Sequence, residues 1–292
     1  MAQSFIEIHK GDISVIQASY NHTNTKNGFP PHVHNDSYEM MLFESGNVIY
    51  FIDDRACHLM PGDVTLICPT SFHGVRMLDT STYSRYPMHF GKDIVSSLCT
   101  ENANLLSCFH NNKSHLVHLN EPEMKQYIHY CMQIIHCLEK KQFGWDIQIK
   151  SYLALALVLV NQAHSHSSGA RRNMLPQIVK SAIQYVDSHL TDELNVQTIA
   201  DELNISRSRL MHLFKEHTDL SLWSYVTAKR IILAKDLLQQ GATVTDACYS
   251  SGFNDYGHFI KAFTKNEGIT PGKFTRLHQE KYPMIEVNWK NC

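Results

Sequence analysis

The chain has 292 residues, of which 43% are hydrophobic and 18% charged, and a formal net charge of -2. That length and apolar content exclude a mostly disordered chain and leave room for two domains with separate cores, while near neutrality means that affinity for a polyanion must come from local basic patches. The longest apolar run, Tyr152–Val160, is too short to span a bilayer and the N-terminus lacks a basic-then-apolar leader, so the expected setting is the cytoplasm, without a membrane partner.

Residues 1–120 read as a β domain. Ser14–Ala18, Glu39–Phe43, Val48–Ile52, Ala56–Leu59 and Val64–Cys68 are short runs rich in β-branched or aromatic residues, separated by Gly, Asp, Asn or Pro. A small antiparallel barrel or jelly roll closes such strands. Within it Gly28, Pro31, His32, His34, Glu39 and Gly46 set the spacing H-x-H-x4-E-x6-G, followed by Pro61-Gly62-Asp63, Pro69 and His73. The pattern resembles the cupin fold, whose two motifs place His, His, Glu and His around one metal. Alternation puts His32 and His34 on one strand face, and Glu39 and His73 complete a nitrogen and oxygen set suited to a divalent metal. Three roles stay open for these residues: a metal site, polar contacts to an organic effector shared with Tyr38, or structural use. With 19 histidines in the chain, chance proximity is common. Met41, Phe43 and Met88 are candidates to line the same cavity and equally ordinary core. No other cofactor is implied.

Residues 121–163 switch to a helical period. Met124, Tyr127, Ile128, Cys131, Ile134, Ile135 and Leu138 form one amphipathic face; Ile147, Ile149, Tyr152, Leu153, Ala156, Leu157 and Val160 form a second. Residues 164–173 are polar or small and read as an interdomain linker. The eight cysteines, Cys57, Cys68, Cys99, Cys108, Cys131, Cys137, Cys248 and Cys292, lack the C-x-x-C spacing of metal sites and fit reduced thiols.

Two helix-turn-helix patterns follow. Val196, Ile199, Ala200 and Leu203 recur at helical spacing, Asn204-Ile205 breaks the period, and Ser206 caps a helix carrying Leu210, Leu213 and Phe214. Ala242–Gly268 repeats the plan with Val244, Ala247 and Cys248, a turn at Gly252-Phe253, Asn254 as the expected cap, and Phe259, Ala262 and Phe263. Ala200 and Ala247 are small where paired helices approach closely. Between the units, Leu222–Gln240 has a broad apolar face of Leu222, Tyr225, Val226, Ile232, Leu233, Leu237 and Leu238, with Lys229, Arg230 and Lys235 expected outside it and Gly241 as the stop. A helix of that length spans about 28 Å, against roughly 34 Å between successive major-groove faces of B-DNA. Such a connector can hold two reading helices on one side of a duplex.

Over Met174–His278 these residues resemble the AraC/XylS family of bacterial transcription regulators. The run Lys229-Arg230-Ile231-Ile232-Leu233-Ala234-Lys235-Asp236-Leu237-Leu238 carries the resemblance, as do Gly252-Phe253, His258-Phe259, Ala262-Phe263, Gly268-Ile269-Thr270-Pro271 and Arg276. Asp219 stands where the family usually has glycine and Thr264 where lysine is usual; Thr275 departs from the family's tyrosine-like neighbourhood. Aspartate tolerates the left-handed conformation, so the fold survives the first change. The resemblance implies groove-facing roles for Ser208, Met211 and His212, while Arg207, Arg209 and Lys215 serve bases or phosphates equally well. Tyr256, Gly257, His258 and Lys261 occupy the matching positions of the second helix. From Met174 onward acidic and basic residues balance, and the basic ones concentrate in 206–217 and 261–276.

The expected fold is α+β in two domains: an N-terminal β-barrel of cupin or jelly-roll type (1–120) with a helical pair (121–163), then a linker (164–173) and an all-α DNA-binding domain (174–281) with helix-turn-helix motifs at 195–217 and 242–265, followed by a tail (282–292). The resemblance further implies that the helical pair dimerises the protein, burial within one subunit being the alternative, and that a small-molecule effector, a sugar among the candidates, controls binding to double-stranded promoter DNA. Activation, with RNA polymerase as a partner, is the commoner family outcome. The competing expectation is a metal-dependent cupin enzyme fused to a DNA-binding domain.

Overall fold

In the computed structural model, which describes residues 16–23, 29–32, 37–111, 115–166 and 173–281, the chain divides after Leu175 into two units, Met1–Leu175 and Pro176–Cys292. The first unit is built on β1 (Ile16–Ala18), β2 (Asn21–Thr23), β3 (Phe29–His32), β4 (Tyr38–Ser45), β5 (Val48–Ile52), β6 (Arg55–His58), β7 (Asp63–Ile67), β8 (His73–Met77), β9 (Tyr83–Phe90) and β10 (Leu116–His118). One antiparallel sheet runs β1-β9-β4-β7-β10, with β2 also paired to β9, and the other runs β3-β8-β5-β6. Met41 and Phe43 of β4 and Tyr83 of β9 join Tyr50 and Ile52 of β5 and Val75 of β8 in one buried cluster, so the two sheets pack face to face in the jelly-roll manner.

Period-two alternation decides what each sheet shows to which neighbour. On β4, Glu39, Met41 and Phe43 face the opposing sheet, whereas Tyr38, Met40 and Leu42 join the other cluster, on the outer side of the larger sheet. That outer side is covered by α1 (Lys92–Leu98), α2 (Ser107–Asn111), α3 (Glu121–Lys140) and α4 (Trp145–His166). Asn120 and Glu123 form a reciprocal capping box at the start of α3, and the buried Tyr127 hydroxyl donates to the Met40 carbonyl at 3.1 Å, pinning the helix to β4. Tyr127, Cys131, Ile134, Leu153, Ala156, Leu157 and Val160 are buried as the helical period predicts, but Ile147, in the first turn of α4, is 67% exposed. α4 continues through His166, into the stretch expected as linker; the rest of that stretch up to residue 172, like the tail from 282, lies outside the described residues.

The second unit comprises α5 (Gln177–Ser188), α6 (Val196–Glu202), α7 (Arg207–Thr218), α8 (Leu222–Gln239), α9 (Val244–Ser250), α10 (Tyr256–Glu267) and α11 (Pro271–Lys281). Ala200 and Ala247 have no exposed surface, as close helix pairing requires. Ser206 caps α7 by accepting from the Arg209 amide, and Asp219 ends it in the left-handed region at φ 58°. The cap of α10 is Asp255 rather than the neighbouring Asn254, because the turn extends one residue further and Asp255 is the residue whose carboxylate accepts from the His258 amide. α8 also departs from the sequence expectation. Arg230 and Lys235, expected outside the apolar face, are only 5% and 8% exposed. The helix is packed by both helix-turn-helix units, so little of its circumference is left to solvent. Arg230 donates to the carbonyls of Leu190 (2.9 Å) and Asp192 (2.8 Å), and Lys235 pairs with Glu267 over the Phe274 ring. Charge enters the core here because backbone acceptors and one carboxylate satisfy it.

Candidate functional site

The space between the two sheets is polar at one end. Glu39 and His89 are register partners on β4 and β9, and His73 of β8 lies opposite, with His32 of β3 as its own register partner. His73 Nε2 stands 3.3 Å and His89 Nδ1 3.9 Å from Glu39 Oε2, and the His32 and His73 rings approach to 4.4 Å between centroids. The Ser71 carbonyl, 3.0 Å from His73 Nδ1, fixes the proton on that nitrogen, since a carbonyl only accepts. His73 Nε2 therefore faces the Glu39 carboxylate in a buried setting.

Three of the four residues read from the cupin-like spacing, His32, Glu39 and His73, thus come together; His34 lies outside the described residues. Among the described residues no group of three or more His, Cys, Asp or Glu side chains is arranged to hold a metal ion. Tyr38 does not join them: it faces the helices, stacked on Phe90 and edge-on to Phe109. Met88 shares that side, while Met41 and Phe43 face the inter-sheet space.

Residues missed in the sequence complete the interior. Tyr83, Arg85 and His89 alternate along β9, and Arg85 lies over the Tyr83 ring at 4.4 Å. Burial pushes the Tyr50 and Tyr83 phenols up, the nearby Glu39 charge adding to both, and pulls the Arg85 guanidinium down. A narrow cleft between β5, β6, β7 and β10, with room for about one water, is lined by Tyr50, Ile52, Arg55, Cys57, Thr65, His115 and Leu116. His115 Nδ1 is buried without a hydrogen-bond partner among the described residues, and burial holds its pKa below the usual 6.5. An arginine, histidines, a carboxylate and phenols around one interior can hydrogen-bond a small polar molecule from several sides.

In the second unit all ten residues picked from the sequence are solvent-facing. Arg207, Ser208, Arg209, Met211, His212 and Lys215 are exposed on α7, as are Tyr256, Gly257, His258 and Lys261 on α10, while Leu210, Phe214, Phe259 and Phe263 turn inward. Both helices thus present their N-terminal turns outward, as base reading requires. His212 also lies 3.7 Å from Glu216, the one acid on the exposed face of α7. The seven described cysteines form no disulfide; burial pushes the Cys108 and Cys131 thiols up to about 12, so neither is an activated nucleophile. No helix among the described residues is long and apolar enough to cross a membrane.

Two family models match the chain: an AraC-like ligand binding domain over residues 15–157 and a helix-turn-helix domain over residues 199–277. Among curated relatives, an uncharacterized helix-turn-helix transcriptional regulator from Pseudoalteromonas carrageenovora is 31% identical over 99 residues, covering 34% of this chain and 59% of that protein, less than two thirds of its length. The transcriptional activator RhaS of Escherichia coli O81 is 24% identical over 258 residues, covering 83% of this chain and 86% of that protein. Among solved structures, unsaturated fatty acid bound ToxT from Vibrio cholerae is 16% identical, covering 92% of this chain and 97% of that chain, at a TM-score of 0.41.

Proposed function

The chain belongs to the AraC family of transcription regulators, an AraC-like ligand-binding domain followed by a helix-turn-helix domain, and from that premise we propose that it is a cytoplasmic, homodimeric activator whose grip on promoter DNA is set by a small polar effector held between the two sheets. The observation that carries this reading is the pair of exposed polar faces on α7 and α10, held on one connector helix. At 1.5 Å per residue α8 is about 27 Å long, close to the spacing of adjacent major-groove faces. The basic residues Arg207, Arg209, Lys215 and Lys261 lie on those faces, which supplies the salt-dependent term that the balanced overall charge does not.

The effector reading is supported by the concentration of Glu39, His73, His89, Arg85, Tyr50 and Tyr83 around one interior. A ligand there controls DNA binding to the extent that it binds two arrangements of the protein differently. Dimerisation is supported by Leu155 and Val158, exposed on one face of α4, and by the exposed Met132 on α3.

The test is to expose the full-length chain to a pool of random duplexes and footprint whatever it retains. An enriched sequence contacted at two segments about one helical turn apart on one face is expected. A pool that stays random at physiological salt, or contact to a single segment, contradicts the reading.

A further inference from the structure

β6 is the outermost strand of its sheet, and the groups it turns away from β5 would otherwise be an open edge. They are taken by the end of the interdomain connector. The Asn173 carboxamide bridges the edge as a peptide group would: Nδ2 donates to the Asp54 carbonyl at 2.7 Å and Oδ1 accepts from the Ala56 amide at 3.0 Å. Oδ1 also accepts from the Leu175 amide, and the Met174 amide donates to the Ala56 carbonyl at 2.8 Å. Side chain and backbone together extend the sheet by a short strand-like clip.

We infer that Asn173 is a latch that pins the connector to β6, and that its engagement sets how the DNA-binding unit meets its sites; the second half rests on the functional reading above. Only Met174, Leu175 and Pro176 separate Asn173 from the first residue of α5. With the latch closed the tether to the second unit begins at β6. With it open that anchor point on β6 is lost.

The latch also sits where the sensor interior can act on it. Arg55 and Cys57 flank Ala56 on β6 and line the cleft with Tyr50, Thr65 and His115. The strand that lines the cleft is thus the one whose outer edge holds Asn173. Asparagine is suited to this role because one short side chain donates and accepts at once. Aspartate would lose the donor and set a charge against the Asp54 carbonyl; alanine would lose all three side-chain bonds.

Full-length wild-type protein is compared with Asn173→Ala and Asn173→Asp by amide hydrogen exchange and by affinity for a duplex that the wild-type chain enriches from a random pool. Exchange at Ala56 should accelerate by roughly five- to tenfold in both variants, with Tyr50 and Phe51 unchanged as evidence that the sandwich is intact. Duplex affinity should shift by about fivefold or more, the lower range of coupling between sites. Unchanged exchange at Ala56 overturns the latch. Faster exchange with unchanged affinity overturns its influence on DNA. Failure of the wild-type chain to enrich any duplex refutes the functional reading and the second half of the inference with it, while exchange still decides the first half.

Discussion

His212 and Lys261 carry the most direct expectations for single side chains, because both are exposed on helices whose other faces are buried. His212→Ala should weaken binding to the enriched duplex by about 1–3 kcal/mol and relax preference at one base position, as loss of a base contact does. Lys261→Ala should instead weaken all duplexes alike and reduce the slope of log affinity against log salt by about one. Gel shifts at several salt concentrations separate the two outcomes. Gly252 is a different kind of position. It sits at φ +91°, and an added Cβ would fall 2.6 Å from the Leu190 carbonyl oxygen and 2.9 Å from Arg230 Nε. Gly252→Ala should therefore lower the stability of the second unit by at least about 1–3 kcal/mol, read by thermal melting. His115 gives the first unit a pH dependence. Its folded pKa lies below the unfolded 6.5, so the unfolded chain takes up its proton first. Stability is complete above about pH 6.5 and is lost as the pH falls towards the depressed folded value. His115→Gln should therefore lose less melting temperature than wild type between about pH 7 and about pH 5; an equal loss would remove His115 as a cause.

Among the elements, the helices were far more legible in the sequence than the strands. α6 to α10 announce themselves through period, caps and stops, because each buries one stripe and ends on a recognisable residue such as Ser206, Asp219 or Gly268. β9 did not, although it lies between β4 and the β1 and β2 edge. Its Pro87 argues against a paired strand, yet the Ser19 amide donates to the Pro87 carbonyl where β1 has ended and β2 has not begun. The missing amide of Pro87 faces that break and costs no ladder bond. Without β9, the alternation that brings Arg85 and His89 to Glu39 could not be read, and Tyr38 could not be turned away from it. The buried cations of α8 were likewise hidden, since their partners Leu190, Asp192 and Glu267 are distant in sequence. For the helical pair, Val158→Glu on the exposed face of α4 should lower the dimer fraction in sedimentation without lowering the melting temperature of the first unit. A variant as dimeric as wild type would assign that face another use.

For the whole molecule, the division after Leu175 leaves each unit with its own core, one formed by the sheets and α1 to α4 and another around α8. A fragment of residues 176–292 is accordingly expected to fold and, if the helical pair joins two copies as proposed, to bind the enriched duplex more weakly than the full chain. The central claim is that the polar interior of the first unit governs the second. The measurement that tests it most directly is the affinity of the full-length chain for its enriched duplex across a panel of small polar metabolites, with thermal melting of the same samples read in parallel. At least one compound should both raise the melting temperature and shift duplex affinity by about fivefold or more, and Glu39→Ala should abolish both effects. A compound that stabilises the protein while leaving duplex affinity untouched would contradict the claim, as would a panel that changes neither.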